Sequence, residues 1–102
     1  MTVDILCSTI RGRRLLRFYY ADDVPGRRLV EPHTVALTPA DNLVLSAWFL
    51  GGVSESQDGQ GWREYLLNSM SDILVLPDAF LGPRPGSNPS GGMKLKRVQC
   101  RL

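Results

Sequence analysis

One histidine, His33, and two cysteines, Cys7 and Cys100, are all the imidazoles and thiols that this 102-residue chain offers. A lone imidazole has no second histidine with which to form a site. Two thiols at opposite ends match neither a zinc spacing nor a Cys-x-x-Cys motif. There is no Gly-x-Ser-x-Gly and no P-loop. Ser54 and Ser56 lie in a polar, glycine-rich stretch with no base beside them. The expectation is therefore no enzyme, no metal and no cofactor. No apolar run approaches the ~18 residues of a membrane span, and the N-terminus lacks the apolar core of a secretory signal. These absences lead us to expect a cytoplasmic protein with reduced thiols, although the two cysteines could pair if the termini meet.

Net charge is also scarce, at +2. Its distribution is less even. Arg11, Arg13, Arg14, Arg17, Arg27 and Arg28 fall in the first third of the chain, and Lys94, Lys96, Arg97 and Arg101 in the last ten residues. Basic ends around a neutral centre permit contact with an anion or a nucleic acid without requiring it.

What the chain does have is alternation, and it is clearest over residues 27–50. Leu29, Glu31, His33, Val35 and Leu37 share one parity, as do Leu43, Leu45, Ala47 and Phe49, with Val44, Trp48 and Leu50 on the other. Side chains alternate across a strand, so these are two strands, the second apolar on both faces as in a closed or covered sheet. Residues 38–42, Thr-Pro-Ala-Asp-Asn, have turn chemistry. Pro32 cannot donate to a ladder and marks an edge or a bulge.

Around this pair the remaining elements fall into place. Residues 2–13 predict a short helix, capped by Thr2, with Val3, Leu6 and Ile10 on one face and arginines at its negative end. Residues 15–21 predict a strand with Leu16, Phe18 and Tyr20 on one face, and residues 22–26 a hairpin connection. Residues 51–61 read as a long polar loop. Residues 62–70 and 72–76 predict two more strands, with a break or bulge at Asn68 and Ser69. Residues 77–92 are interrupted by proline and glycine and predict neither strand nor helix. Val98, Cys100 and Leu102 alternate with polar neighbours, giving a last strand that needs a sheet edge in its own chain or in a second copy. Short strands at close spacing indicate a mainly β fold, a small barrel of about five strands with an N-terminal helix. The expected organisation is one domain, residues 1–82 forming helix and barrel and residues 83–102 an arm and terminal strand packed on it.

The order of these segments resembles a family. A helix ending in Arg-Arg, then LLRFYY, RLVEPH, LSAW, WREYLL, ILVL and Phe80 follow one another as in the WYL domain, and PRPGSNP at 83–89 is similar to the ending of its short stand-alone bacterial form. The resemblance implies an Sm-like, SH3-type barrel and a non-catalytic role in sensing a nucleotide, an oligonucleotide or single-stranded nucleic acid, accessory to transcription regulation or phage defence. Asn42, Leu43 and Val44 stand where that family has its Trp-Tyr-Leu triplet, and Asn68 and Ser69 where an aspartate and an arginine usually stand. The residues before Gly12 are too few for a helix-turn-helix, so regulation would act through a partner.

The candidate binding residues follow. Arg13, Arg14 and Arg17 form a potential phosphate-tracking edge. Tyr19 and Trp48, with Trp62 and Tyr65, offer flat faces for stacking on bases. His33 is a possible donor to a phosphate or a base. Arg63 and Asn68 complete the set. The alternative is a structural interaction module with no small ligand, forming a homodimer through the C-terminal strand or the 83–89 arm, or serving as a subunit of a larger complex.

Overall fold

The computed structural model describes residues 2–21, 25–52, 60–84 and 97–102. The described residues form one helix, α1 (Thr2–Arg11), and six strands: β1 (Arg14–Tyr20), β2 (Gly26–Leu37), β3 (Leu43–Gly52), β4 (Gly61–Leu66), β5 (Met70–Ala79) and β6 (Arg97–Arg101). A single 3-10 turn, Leu67–Ser69, joins β4 to β5. Asp4 and Arg11 sit at the helix ends that favour their charges. Leu6 and Ile10 are fully buried, with Val3 packed against the same core. The helix stops two residues earlier than its pattern predicts, because Arg13 adopts a left-handed φ of 53° and turns the chain into β1.

All ladders are antiparallel, and the strands lie in the order β4-β3-β2-β1-β5, with β6 paired to β2. No ladder joins β4 to β5, so the sheet is open, and the closed barrel expected from the strand count is not what the hydrogen bonds form. The helix packs on β1, β2 and β6. The core comprises Leu6 and Ile10 of α1, Leu16, Phe18 and Tyr20 of β1, Val30 and Val35 of β2, Leu45, Ala47 and Phe49 of β3, and Tyr65 and Leu67. Phe18, Tyr20 and Tyr65 meet edge to face, with centroids 5.0–6.2 Å apart. Tyr65 is thus a core residue rather than a stacking platform.

Two expectations fail for local reasons. The single parity assigned to β2 breaks at His33. Pro32 pairs with Ala47 and Thr34 with Ser46, so two residues of β2 oppose one step of β3 and His33 is the extra residue of a bulge. Beyond the bulge the faces exchange, and Val30 and Val35 both enter the core although their parities differ. The second failure is at residues 77–79, where proline argues against a strand. They nonetheless extend β5, which lies at the end of the sheet order where a missing N–H is tolerated.

Turn chemistry is read correctly at residues 38–42. Thr38 exchanges backbone bonds with Asn42 and Asp41, its Oγ1 accepts from the Asn42 N–H (3.2 Å), and Asp41 takes the left-handed conformation that this residue type tolerates. At Gly52, φ is 108° and a Cβ would lie 2.3 Å from the Arg27 carbonyl oxygen, so only glycine closes the β2–β3 ladder there.

The thiols are not free. Cys7 of α1 is joined to Cys100 of β6 in a disulfide, which corrects the expectation of reduced cysteines. The terminal strand finds its edge within its own chain, on β2. Of the expected hairpin connection at 22–26, loop at 51–61 and arm at 83–102, residues 22–24, 53–59 and 85–96 lie outside the described residues, while 51–52 and 61 belong to β3 and β4. No described helix is long and apolar enough to cross a membrane.

Candidate ligand-binding site

The face of the sheet turned away from the core carries the polar chemistry. Because Leu16, Phe18 and Tyr20 point inward, Leu15, Arg17 and Tyr19 of β1 point outward. The register then places Leu29 opposite Arg17, Arg27 opposite Tyr19, Trp48 opposite Glu31 and Trp62 opposite Trp48 on that same face. The bulge adds His33, whose ring meets Trp62 edge-on at 4.7 Å.

Residues 80–84 cross this face as a strap, held at both ends. At its start the Phe80 N–H donates to the Arg13 carbonyl (2.8 Å), and Arg13 Nη1 donates to the Leu81 carbonyl (3.0 Å). At its end Arg84 makes a two-pronged pair with Glu31, Nε to Oε1 at 2.7 Å and Nη2 to Oε2 at 2.9 Å. The Arg84 guanidinium lies over the Trp48 ring, 5.0 Å from its centroid, and the Phe80 ring stacks on His33 at 5.5 Å. Glu31 is 5% exposed. A buried carboxylate requires such a partner, and the planar fork of arginine matches both oxygens. The hydrogen bond to Glu31 holds the Arg84 guanidinium even more firmly protonated than usual.

His33 has both ring nitrogens engaged. Nδ1 donates to the Glu31 carbonyl oxygen (2.8 Å), and Nε2 accepts the Arg84 backbone N–H (3.2 Å). Only the neutral Nδ1–H tautomer satisfies both bonds. Burial pushes the His33 pKa below 6.5; the hydrogen bond to the Glu31 backbone and the Glu31 charge oppose this, while the Arg84 charge adds to it. Burial likewise raises the Glu64 pKa above the usual carboxylate value. The Trp48 Nε1–H is buried without a hydrogen-bond partner among the described residues, and a buried donor left unpaired costs about 1–3 kcal/mol.

Between strap and sheet lies a cavity of about 590 Å³. Its walls are mostly apolar: Leu15, Leu50, Ala79, Phe80 and Leu81, with Glu31 and Arg84 as the polar edge. One same-face step along β1 and β2 from Leu15 and Glu31 the outer face reaches Arg17 and Leu29, and a second step reaches Tyr19 and Arg27. Arg17 and Arg27 are diagonal neighbours across the β1–β2 ladder, a relation of about 7–8 Å. Both are exposed, and no ion pair joins either to a carboxylate among the described residues.

The predicted residues therefore divide. Arg17 and Tyr19 share the open part of the outer face. His33 and Trp48 lie under the strap, where they hold it rather than offer themselves to solvent. Arg13 fastens the start of the strap. Arg14 Nη1 donates to the Pro77 carbonyl at 3.0 Å, beside β5. Arg63 turns the other way: its guanidinium lies over the core residue Phe49 at 5.4 Å, and Nη1 bonds the Trp62 carbonyl. Asn68 is exposed in the 3-10 turn and does not line the cavity. Sequence reasoning missed Glu31, Arg84, Arg27 and Leu81. A signal for the first existed in a glutamate between apolar strand positions, since a buried carboxylate demands a cation. Among the described residues no group of three or more His, Cys, Asp or Glu side chains is placed to hold a metal ion. Comparison with protein-family models, with curated proteins and with solved structures finds no match.

Proposed function

We propose that this chain is a non-catalytic binding module of WYL type that takes a phosphorylated aromatic ligand, namely a nucleotide, an oligonucleotide or single-stranded nucleic acid. The observation that carries this reading is contiguity. A cavity of about 590 Å³ walled by Leu15, Leu50 and Phe80 shares the outer face of the sheet with two exposed arginines, Arg17 and Arg27, that have no carboxylate partner among the described residues, and with Tyr19, which is paired with Arg27. Apolar walls suit a base, Tyr19 suits a second one by stacking, and guanidinium forks suit phosphate oxygens. The Sm-like, SH3-type barrel belongs to the same proposal: β1 to β4 in meander order, with β5 returning after a 3-10 turn to pair with β1, give a strand order that supports it although β4 and β5 do not pair. A role accessory to transcription regulation or phage defence follows from the same likeness.

A thermal-shift screen of nucleotides and short oligonucleotides tests this reading. A ligand at one hundred times its Kd adds about 2.7 kcal/mol of stability. Binding is expected to weaken with salt, and Arg17→Ala and Arg27→Ala are each expected to flatten that dependence by about one phosphate contact. No shift with any member of the panel, or binding indifferent to salt, refutes the proposal.

The second reading, an interaction module, has one observation in its favour. Leu81 is 99% exposed at the top of the strap, with Leu74 of β5 exposed as well. Two copies set face to face would bring Arg17 and Arg27 against their own likes, and β6 is already paired within the chain. A monomer mass by light scattering that is unchanged by Leu81→Ser disposes of a homodimer on this face.

A further inference from the structure

The strap carries a consequence for how the cavity is controlled, which rests on the ligand-binding reading above. We propose that residues 80–84 form a latch closed by neutral His33 and released when His33 takes a proton, so that the site beneath Phe80 and Leu81 opens and loses its ligand on acidification.

The geometry is specific. His33 Nε2 accepts the Arg84 backbone N–H at 3.2 Å, while Nδ1 is committed to the Glu31 carbonyl oxygen at 2.8 Å. An imidazolium carries N–H on both nitrogens and accepts on neither. A proton on Nε2 faces the Arg84 N–H donor to donor, so that bond is lost. The ring cannot turn to recover it without abandoning the Nδ1 bond and its packing between Trp62 and Phe80. Three further ties run through residues that touch this ring or its partner: Phe80 stacks on it, and Arg84 binds Glu31 and covers Trp48, while the two bonds to Arg13 hold the start of the strap as its hinge.

The charges around His33 decide whether it titrates as a unit with the strap. On its own strand Glu31 favours the proton, but both Glu31 oxygens are engaged by Arg84. From the strap, the Arg84 guanidinium disfavours it. β4 presents Trp62 and, two residues along the same face, Glu64. On the side of β6, the Leu102 N–H donates to the His33 carbonyl (2.8 Å), and Arg101, paired with Thr34, is exposed. Burial lowers the affinity of His33 for a proton, so the closed latch is kept at neutral pH and fails below the ordinary histidine range.

The decisive experiment follows the Arg84 amide and the His33 ring together by NMR in the full chain from pH 8 to pH 5. Hydrogen exchange is corrected for its intrinsic pH dependence. The expected result is a drop of at least tenfold in Arg84 amide protection, with its midpoint at the ring's own titration, while Val35 and Leu45 in the β2–β3 ladder stay protected. In His33→Gln the pH step at Arg84 is expected to vanish. Protection of Arg84 that stays flat while the ring titrates, midpoints that differ, a step that persists in His33→Gln, or simultaneous loss of protection at Val35 and Leu45 each overturn the latch. If His33→Gln does not fold, the comparison of wild-type midpoints decides alone. Binding of GTP and of an eight-residue thymidine oligonucleotide is measured at pH 8 in parallel. Failure of both probes overturns the functional reading, while the exchange data decide the latch in either case.

Discussion

The outer face of the sheet has two halves built from the same strands but held in opposite ways. Under the strap, every charged or aromatic group has a partner: Glu31 with Arg84, Arg84 with Trp48, and His33 with Glu31, Arg84, Trp62 and Phe80. At the other end of β1 and β2, Arg17 and Arg27 are exposed cations without a carboxylate among the described residues. The first half reads as structure and the second as a surface left for something else. The difference teaches that a residue type does not declare its role. Arg84 and Arg17 are both arginines on one face, and only the chain that returns over Glu31 separates a fastening from a candidate contact.

The largest effect that sharpens this contrast concerns neither half directly but the frame behind them. The Cys7–Cys100 bond closes a loop of 93 residues. For a loop of about 100 residues, loss of such a crosslink costs about 4.7 kcal/mol. Thermal unfolding with and without reductant, and of Cys7→Ser/Cys100→Ser, is expected to show a loss of that order. The fastened half comes next. Arg84→Ala leaves the buried Glu31 carboxylate unpaired and is expected to lower the Tm, while Glu31→Gln/Arg84→Ala recovers part of the loss; equal Tm values for the single variant and wild type would mean that the strap carries no stability.

The pH response is smaller. His33 has a pKa below 6.5 in the folded chain, so its contribution is fully present above pH 6.5. It is lost as pH falls through the lowered folded value, because the unfolded chain then binds the extra proton more readily. Denaturant melts at pH 7.5 and pH 5 are expected to differ by more in the wild type than in His33→Gln. The smallest effect falls on the open half. Arg17→Ala and Arg27→Ala remove exposed side chains and are expected to change stability by no more than about 0.5 kcal/mol, while reducing the salt dependence of nucleic-acid binding. A large stability loss there would erase the contrast between the halves.

Much of the frame was legible. The helix, the strands, the turn at residues 38–42 and the inward faces of β1 and β3 follow from periods of 3.6 and 2 and from turn chemistry, all of which are local. The site was legible in part. Arg17 and Tyr19 appear where alternation puts them. His33 and Trp48 were found as residues of interest, but a ring that braces a strap and a ring that meets a ligand look alike along a chain. Arg63 was misplaced because β4 alternation alone does not say which of its faces meets the core.

Alternation and turn residues alone determined that this protein is mainly β with one short N-terminal helix, because backbone geometry couples side-chain direction to position over two to four residues. Tertiary structure decided the rest: that the bulge at His33 exchanges the faces of β2, that Glu31 finds Arg84 more than fifty positions away, that Cys7 meets Cys100, and that the sheet ends at β4 and β5 without closing. Each depends on which distant segments come to lie against one another. That choice is set by the summed packing of the whole core rather than by any stretch within it.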